Sequence, residues 1–382
     1  MESTVSMVEQ PSGVSRRLFL KLVPATALLL AACGGAAAPA SPSGAPSSAK
    51  SDIPTFAQVL AAAKQEGTIE LWTGRPDIQA AWQEAFNKRF GTDIKVTGSD
   101  LQAGVAATRL ITEARGGKPS ADLLQPSYDI ALDLEERKLM PDPYPWVEVF
   151  GGELPTLKDS MDHIKVPQFK NRVPTMRDVM YHGVYRTDQI KKEDLPKTFE
   201  ALADAKYKGQ FAFDTKGSPL EYLIIVPGWT EERILDLAAK IKANAPRFFA
   251  GTNAIRDAVV NGQAAFSTAG DAIAAKQQGR PVDNFYLEPL AINTLLATVP
   301  KTAPHPNAAR LFAAWVSVEG PKALEERKID YHEDLWQKDL LTTKMLYESL
   351  PNVTPYYFEK PEQVSASQAM RGKLSDLMTG AR

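Results

Sequence analysis

The chain has 382 residues, with 44 Lys or Arg against 46 Asp or Glu, and a formal net charge of −2. This balance leaves no basic surface for phosphate backbones, so nucleic acid is excluded as an expected partner. Hydrophobic residues make up 44% of the sequence, which is typical of a globular protein with its own core.

Residues 15–35 have the layout of an export signal. Arginines and a lysine come first, an apolar run from Leu22 to Ala32 follows, and small residues surround the single cysteine, Cys33. The apolar run is too short to cross a bilayer, which takes about 20 residues. "SRRLFLK" (15–21) resembles a twin-arginine signal, and "LAAC" (30–33) resembles a bacterial lipobox. We therefore expect a protein that is exported to the periplasm or cell exterior.

The same stretch predicts how the protein is held at the membrane. Residues 1–32 are expected to be the signal, and Cys33 is expected to carry lipid as the mature N-terminus. Residues 34–51 read "GGAAAPASPSGAPSSAKS" and lack any large apolar side chain. Such a composition cannot bury enough surface to order itself, so we predict a flexible tether over 33–52.

After the tether, helix and strand patterns alternate. A helix "TFAQVLAAAKQEG" ends at Gly67, and a second amphipathic helix ends at Gly91. The remaining elements predicted here are strands at 68–73, 93–97 and 121–125, a helix from about 101 to 114, and a helix from Ser127. This alternation predicts a largely parallel sheet covered by helices on both faces.

A second α/β set follows a proline-rich stretch. Periodicity fades between Pro141 and Pro174, which predicts a long crossing segment. Further elements are predicted at 209–214 (strand), in "TEERILDLAAKIKANA" and "TNAIRDAVVNG" (helices), at 264–268 (strand), at 285–300 (crossing strand) and at 308–317 (helix). We therefore predict two doubly wound α/β lobes joined by crossing strands. Lobe 1 is assigned to 53–174 and 289–382, and lobe 2 to 175–288.

Sequence signatures of catalysis are missing. The chain has no G-x-S-x-G, no H-E-x-x-H and no P-loop, and its four histidines show no ligand spacing. "YHEDLW" (331–336) lacks a second histidine four residues after the first, so it is predicted to be a solvated helix start. We therefore expect that the protein is not an enzyme, and we expect no cofactor and no set of metal ligands.

Five segments carry a family resemblance. "EDLPKTFEALADAKYKGQFAFD" (193–214) closely resembles the solute-binding proteins of ABC importers, in the branch related to ferric-iron-binding proteins. Four other segments agree in the same order, and the resemblance covers about 66–322. They are "KPSADLLQPSYDIALDLEERKLM", "VYRTDQI", "VNGQAAFSTAGDAIAAKQQGRPV" and "VPKTAPHPNAARLFAAWVSVEG". The resemblance implies a type 2 periplasmic-binding-protein fold with a ligand cleft between the two lobes. Such a protein closes by a hinge on a small molecule and delivers it to a membrane permease.

The resemblance also bears on the ligand. The tyrosine pair that holds iron in some family members falls on or next to Ala272 and Ile273, and an acidic ligand falls near Ser127. Ferric iron prefers anionic oxygen ligands, so an organic solute is the expected cargo. Ferric iron or an iron chelate is the alternative cargo, while a secreted hydrolase and a surface scaffold are the alternatives outside transport. A monomer is expected, because a permease must reach both lobes.

Ligands in such folds lie beyond the carboxyl ends of strands. In lobe 1, Thr73, Gly74 and Arg75 follow the first strand, and Arg75 either holds a carboxylate or phosphate or is a solvated arginine. Ser127 opens a helix with Tyr128 and is either its N-cap or a ligand contact. Two further candidates, Thr175 and Arg177, lie near the crossing into lobe 2. For Arg177, the alternative to ligand binding is a purely structural role.

The candidate contacts in lobe 2 favour ligands of opposite charge. Ser218, with the backbone after Gly217, suits an anion, whereas Asp214 suits a cation. Asp271 is either an N-cap or the partner of a ligand ammonium group. The sequence therefore leaves the sign of the ligand's charge open.

Overall fold

The computed structural model describes residues 53–380. The predicted signal, Cys33 and the predicted tether lie outside the described residues. Within 53–380, no helix combines the length and apolarity that crossing a membrane requires.

Helices and strands alternate through most of this range. The elements before residue 175 are α1 (Phe56–Glu66), β1 (Thr68–Trp72), α2 (Pro76–Phe90), β2 (Lys95–Gly98), α3 (Ala103–Arg115), β3 (Leu123–Leu124), α4 (Tyr128–Glu136), α5 (Trp146–Phe150) and α6 (Leu157–His163). Those that follow are β4 (Thr175–Met180), β5 (Gly183–Arg186), β6 (Phe211–Asp214), α7 (Glu231–Ala243), β7 (Arg247–Phe249), α8 (Thr252–Val260), β8 (Phe266–Ser267), α9 (Ile273–Gln277), β9 (Val282–Phe285), β10 (Ala291–Leu296), α10 (Pro306–Val318), α11 (Gly320–Glu326), α12 (Leu341–Ser349), β11 (Tyr356–Tyr357) and α13 (Pro361–Thr379).

The first lobe is built on a parallel sheet with the order β2-β1-β3. Its helices begin and end as their sequences predict. Thr55 and Gln58 form a capping box at the start of α1, and Gly67 and Gly91 end α1 and α2 in the left-handed conformation. The core between these helices and the sheet contains large buried side chains such as Phe86 and Trp315.

The second lobe contains a five-stranded sheet with the order β7-β6-β8-β5-β9. Its β6 is parallel to β7 and β8, whereas β5 is antiparallel to β8 and β9. Gly183 lies where β5 passes its neighbours closely, because a Cβ atom there would come within 2.3 Å of the Ser267 carbonyl oxygen. The predicted fold class of two α/β lobes is confirmed.

A third sheet, with the order β11-β10-β4, lies where the chain crosses between the lobes. β4 leads into the second lobe and pairs antiparallel with β10, which returns from it. Two isolated bridges, Leu124 with Thr298 and Ser127 with Leu295, connect this crossing pair to the end of β3.

Three stretches differ from their predicted form. The region 141–174 is not one crossing segment, because α5 and α6 fold there and pack against α10. The predicted strand 285–300 is broken between β9 and β10. The predicted helix start at 331–336 is instead an irregular, mostly buried segment, since the residues from Tyr331 to Leu335 are all buried.

The C-terminal helix α13 contacts both lobes, packing against α7 of the second lobe and α4 of the first. Its Arg371 donates through Nε to Glu221 Oε1 at 3.3 Å and through Nη1 to Asp129 Oδ2 at 3.2 Å. A third contact joins Arg371 Nη2 to the Tyr222 hydroxyl at 3.2 Å. One guanidinium group therefore connects the two lobes.

Candidate functional site

One face of the two crossing strands is partly buried and carries both polar and apolar side chains. Leu295 of β10 lies opposite Arg177 of β4, and Asn293 lies opposite Val179. Residues directly opposite one another in an antiparallel pair project to the same side of the sheet. We call these four residues the crossing face. The Arg177 side chain is 25% exposed, so its charge remains accessible from this face.

Loops of the first lobe lie beside the crossing face. Because β1 and β3 are parallel neighbours, their carboxyl ends meet, and the Thr73 hydroxyl donates to Gln125 Oε1 at 2.7 Å. Ser127 bridges Leu295 of the crossing face, and its hydroxyl donates to Asp129. Three of the polar side chains at this edge, Thr73, Gln125 and Ser127, remain half-buried.

Loops of the second lobe lie on the other side. Asn293 Nδ2 of the crossing face donates weakly to the Tyr222 hydroxyl at 3.4 Å. The Tyr222 ring stacks on Tyr181, with centroids 5.0 Å apart and planes inclined by 22°. Ser218 donates to Glu221 Oε1 at 3.0 Å, at the start of the same loop. Both lobes therefore contact the crossing strands, through the backbone of Ser127 and through the side chain of Tyr222.

An acidic segment, residues 329–336, runs along the free edge of β4. The Asp178 amide donates to the Glu333 carbonyl at 2.7 Å, so the segment adds one bridge to the crossing sheet. Both predicted arginines face its carboxylates: Arg75 Nη1 lies 3.8 Å from Asp330 Oδ2, and Arg177 Nη2 lies 3.6 Å from Glu333 Oε2.

Arg75 lies among three carboxylates. Burial alone would lower its pKa, but Asp77, Asp330 and Asp100 together raise it. The nearest pair joins Arg75 Nη2 and Asp77 Oδ2 at 3.2 Å, between two side chains that are about half exposed. The guanidinium group is therefore already neutralised by this chain's own acids.

Glu333 connects the acidic segment to a buried histidine. Its Oε2 accepts from the Met180 amide at 3.0 Å, and its Oε1 lies 3.3 Å from His182 Nδ1. Burial raises the pKa of Glu333 against the positive charges of His182 and Arg177, and the charge of Asp271 raises it further. His182 is only 2% exposed, yet neither ring nitrogen has a hydrogen-bond partner among residues 53–380.

The family is shown by the sequence itself. The profile described as "Bacterial extracellular solute-binding protein" matches residues 73–323. The chain belongs to this family of solute-binding proteins. No curated protein matches the sequence.

Solved structures share the fold of this solute-binding protein. Iron-bound HitA from Pseudomonas aeruginosa is 20% identical with a TM-score of 0.57, over 80% of this chain and 99% of that one. The substrate-binding protein of an ABC transporter from Agrobacterium tumefaciens is 16% identical with a TM-score of 0.60, over 84% and 96%. The Atu4243-GABA receptor is 17% identical with a TM-score of 0.59, over 81% and 97%. These similarities establish the two-lobed type 2 periplasmic-binding-protein fold.

Several residues predicted to contact ligand have internal partners in this solute-binding protein. The Tyr128 ring is buried and stacks on Phe169 with centroids 5.8 Å apart. Thr175 is fully buried and shares a hydrogen bond of 2.8 Å with the Ser160 hydroxyl. At Gly74, φ is 79°, and a Cβ atom would come within 3.1 Å of the Ile78 side chain, so this glycine sets the turn after β1.

The two predicted acids of the second lobe differ. Asp214 is buried, and its two oxygens accept from the Lys216 amide at 2.7 Å and the Gly251 amide at 2.8 Å. Asp271 is half-buried and accepts from the Ile273 amide at 2.9 Å through Oδ1 alone. Asp214 therefore organises its own loop, whereas Asp271 keeps one oxygen available.

Sequence reasoning did not find Glu333 or His182. Glu333 lies in the segment that was predicted to be a solvated helix start, and its pairing with β4 buries it. His182 follows β4 and is buried with its Nδ1 3.3 Å from Glu333 Oε1. One available signal was the flanking of three successive ionisable residues by Tyr331 and Leu335. Within residues 53–380, no group of three or more His, Asp or Glu side chains is arranged to hold a metal ion.

Proposed function

We propose that this solute-binding protein captures a small organic solute at the crossing face and passes it to the permease of an ABC importer. Family membership supports the transport role. The observation that carries the site is the meeting of both lobes there: Ser127 bridges Leu295 from one side, and Tyr222 contacts Asn293 from the other. A solute that touches both sides favours the closed arrangement of the lobes.

The ligand contacts that we propose are polar groups from both lobes and from β4. They are Thr73, Arg75 and Ser127 from the first lobe, Arg177 from β4, and Ser218 and Asp271 from the second lobe. The other predicted contacts, Gly74, Tyr128, Thr175 and Asp214, act by shaping the loops and the core behind them. The division of the chain at 174/175 and 288/289 belongs to the same proposal.

An organic cargo is favoured over ferric iron by the residues where α9 begins. Ala272 and Ile273 stand where the resemblance places a tyrosine pair, and both are buried without a donor atom in the side chain. HitA, whose structure contains iron, shares only the fold at 20% identity. Iron or an iron chelate remains the alternative cargo, and the experiment below distinguishes it.

The proposal extends to the location of the protein. We propose export by the twin-arginine route and lipidation of Cys33, which would hold the lobes near the membrane. A monomeric state would leave both lobes free to dock on a permease. A Cys33→Ala variant should move from the membrane to the soluble fraction, because the thiol that accepts lipid is gone. A variant that stays with the membrane would contradict the anchor.

Native mass spectrometry of the full chain carrying Cys33→Ala, purified without added ligand, tests the cargo. We expect an excess mass of a few hundred daltons that is lost on partial unfolding. An excess that matches iron, alone or with a small anion, would contradict the organic solute. A thermal-shift screen follows if the protein is purified empty, and a protein that no small solute stabilises would contradict the binding function.

A further inference from the structure

Arg371 connects candidate contacts of the two lobes through a chain of hydrogen bonds. On the first-lobe side, its Nη1 donates to Asp129 Oδ2 at 3.2 Å, and Asp129 also accepts from the Ser127 hydroxyl. On the second-lobe side, its Nε donates to Glu221 Oε1 at 3.3 Å, and the same oxygen accepts from the Ser218 hydroxyl at 3.0 Å. The guanidinium group therefore links the two hydroxyl groups that are proposed to contact the solute.

The space beside this guanidinium group is nearly filled. A cavity of about 10 Å³ borders Arg371, Asp129 and Tyr222, together with Asn293 of the crossing face. This volume holds about one water molecule, whereas sites for small organic ligands measure about 300 to 1,000 Å³. An organic solute therefore cannot enter on this side of the crossing face while the guanidinium group keeps its contacts with both lobes.

The helix α13 is fastened to the second lobe. It packs against α7, and the Leu377 carbonyl accepts from Lys242 Nζ near the end of that helix at 2.7 Å. Leu374 lies so close to Gly217 that a Cβ atom on the glycine would come within 3.0 Å of it. Toward the first lobe, α13 meets the start of α4, where the ion pair with Asp129 lies.

We propose that Arg371 is an internal latch, which holds the lobes together over the crossing face and releases Asp129 when the lobes open to admit a solute. Because α13 is fastened to the second lobe, separation of the lobes breaks the pair with Asp129 and leaves the pair with Glu221 in place. The contact with Asp129 exists only in the closed arrangement, so it shifts the balance toward closed lobes. The admission of a solute rests on the proposed function, whereas the latch itself does not depend on which solute is carried.

The reactivity of a cysteine placed at Asn293 measures how often the crossing face opens. Asn293 is 7% exposed, and the full chain carrying Cys33→Ala has no other cysteine. A maleimide should react slowly with the Asn293→Cys variant, because the thiol is reached only when the lobes separate. Adding Asp129→Asn should raise the rate about 5-fold, which corresponds to about 1 kcal/mol for a partly exposed ion pair.

The Asp129→Asn substitution acts on the latch without stranding a buried charge. Asparagine offers one acceptor oxygen to two donors, Ser127 and Arg371, so one of these bonds is lost. Glu221 keeps its own contact with Arg371, and the buried carboxyl group therefore retains its counter-charge.

Two controls separate opening of the lobes from unfolding. Asp133→Asn, on the same helix α4 where Asp133 pairs with Arg137 at the surface, should leave the rate at position 293 as in the parent. Ala258→Cys, in the core of the second lobe, reports unfolding, because Ala258 is 1% exposed. Its rate should not change when Asp129→Asn is added.

An unchanged rate at position 293 in the Asp129→Asn variant overturns the latch. An equal rise at positions 293 and 258 also overturns it, because the variant would then unfold and not open. The native mass measurement above decides separately whether the protein carries a small solute, since it uses protein in which Asp129 and Arg371 are intact.

Discussion

Arg75 and Arg177 show how a residue's role depends on what the rest of the chain places beside it. Arg75 follows β1, and Arg177 lies within the crossing strand β4. At either position a ligand anion is a natural partner for arginine. In the structure, Asp330 and Glu333 of the acidic segment occupy that role. Both guanidinium groups therefore already have acidic partners within this chain.

His332 makes stability depend on pH. The ring is buried, and it meets the Trp82 ring edge-on at 5.7 Å. Burial, together with the charge of Arg177, lowers the pKa of His332 to about 3, against the opposing charge of Asp330. The unfolded chain takes up this proton near pH 6.5 and the folded chain does not. The stability is therefore complete above about pH 6.5 and is lost as the pH falls toward 3.

We predict that His332→Phe removes this acid sensitivity. Between pH 6.5 and 5 the parent should lose up to about 2 kcal/mol of unfolding free energy through His332, at about 1.4 kcal/mol per pH unit. The variant should lose that much less over the same interval. Urea denaturation of both proteins at the two pH values measures the difference. Equal losses would show that His332 does not titrate in this way.

At the scale of residues, the sequence predicts where a side chain lies along a strand or loop better than it predicts which residues that side chain contacts. The rule that ligands lie beyond strand ends placed Arg75 and Ser127 correctly at the ends of β1 and β3. It did not indicate that Glu333 pairs with β4, because a residue 153 positions from Met180 leaves no local pattern of that contact. Charged letters are exposed by default, and only tertiary pairing buries them.

At the scale of elements, α13 joins the two lobes. Arg371 reaches Asp129 of α4 in the first lobe and Glu221 in the second. Glu221 is buried at 1% exposure, and burial raises its pKa despite the opposing charge of Arg371. The guanidinium group is therefore the counter-charge that this carboxyl group depends on.

We predict that Arg371→Met lowers the unfolding free energy by about 2 kcal/mol, because it strands a buried carboxyl group. The value is below that for a fully buried pair, since the Arg371 side chain is 37% exposed. Combining it with Glu221→Gln should restore more than half of the loss, because a neutral amide needs no counter-charge. Urea denaturation of the single and double variants measures both effects.

Lys373 on the same helix provides the matched control. It pairs with Glu231 on the exposed side of α13, where both side chains are about half accessible. Lys373→Met should therefore cost less than about 1 kcal/mol. A loss as large as that of Arg371→Met would attribute the effect to the helix and not to the buried pair.

Elements with local signals were predicted well. Glycines at 67 and 91 marked the ends of α1 and α2, and the alternation of helix and strand patterns indicated two α/β lobes. Short strands were overestimated: residues 264–268 contain only the two-residue β8, and 121–125 only the two-residue β3. The length of such a strand depends on which neighbouring strands pair with it. The helices α5 and α6 were not predicted, because their apolar residues pack on the distant helix α10.

At the scale of the whole molecule, one hydrophobic core runs through both lobes. It includes Leu110 and Leu134 of the first lobe, Phe211 of the second, and Leu374 and Met378 of α13. Unfolding either lobe would expose part of this shared core to solvent. The lobes therefore depend on each other for stability.

We predict that residues 53–380 unfold in one cooperative transition. Of the six tryptophans, Trp229 lies in the second lobe, while Trp72, Trp82 and Trp146 lie in the first. Urea unfolding followed by tryptophan fluorescence should coincide with that followed by far-ultraviolet circular dichroism. Two separated midpoints would instead show that the lobes unfold independently.

The position of α13 has a consequence for how the protein is made. The ribosome releases the chain from its N-terminus, so the residues at 361–379 emerge after every strand and helix that α13 contacts. Until then, the apolar surfaces that Leu374 and Met378 cover stay open to solvent and to cytosolic chaperones. The helix α13 must therefore leave the ribosome before the protein reaches its compact state, and any export route that requires a folded passenger has to wait for this helix.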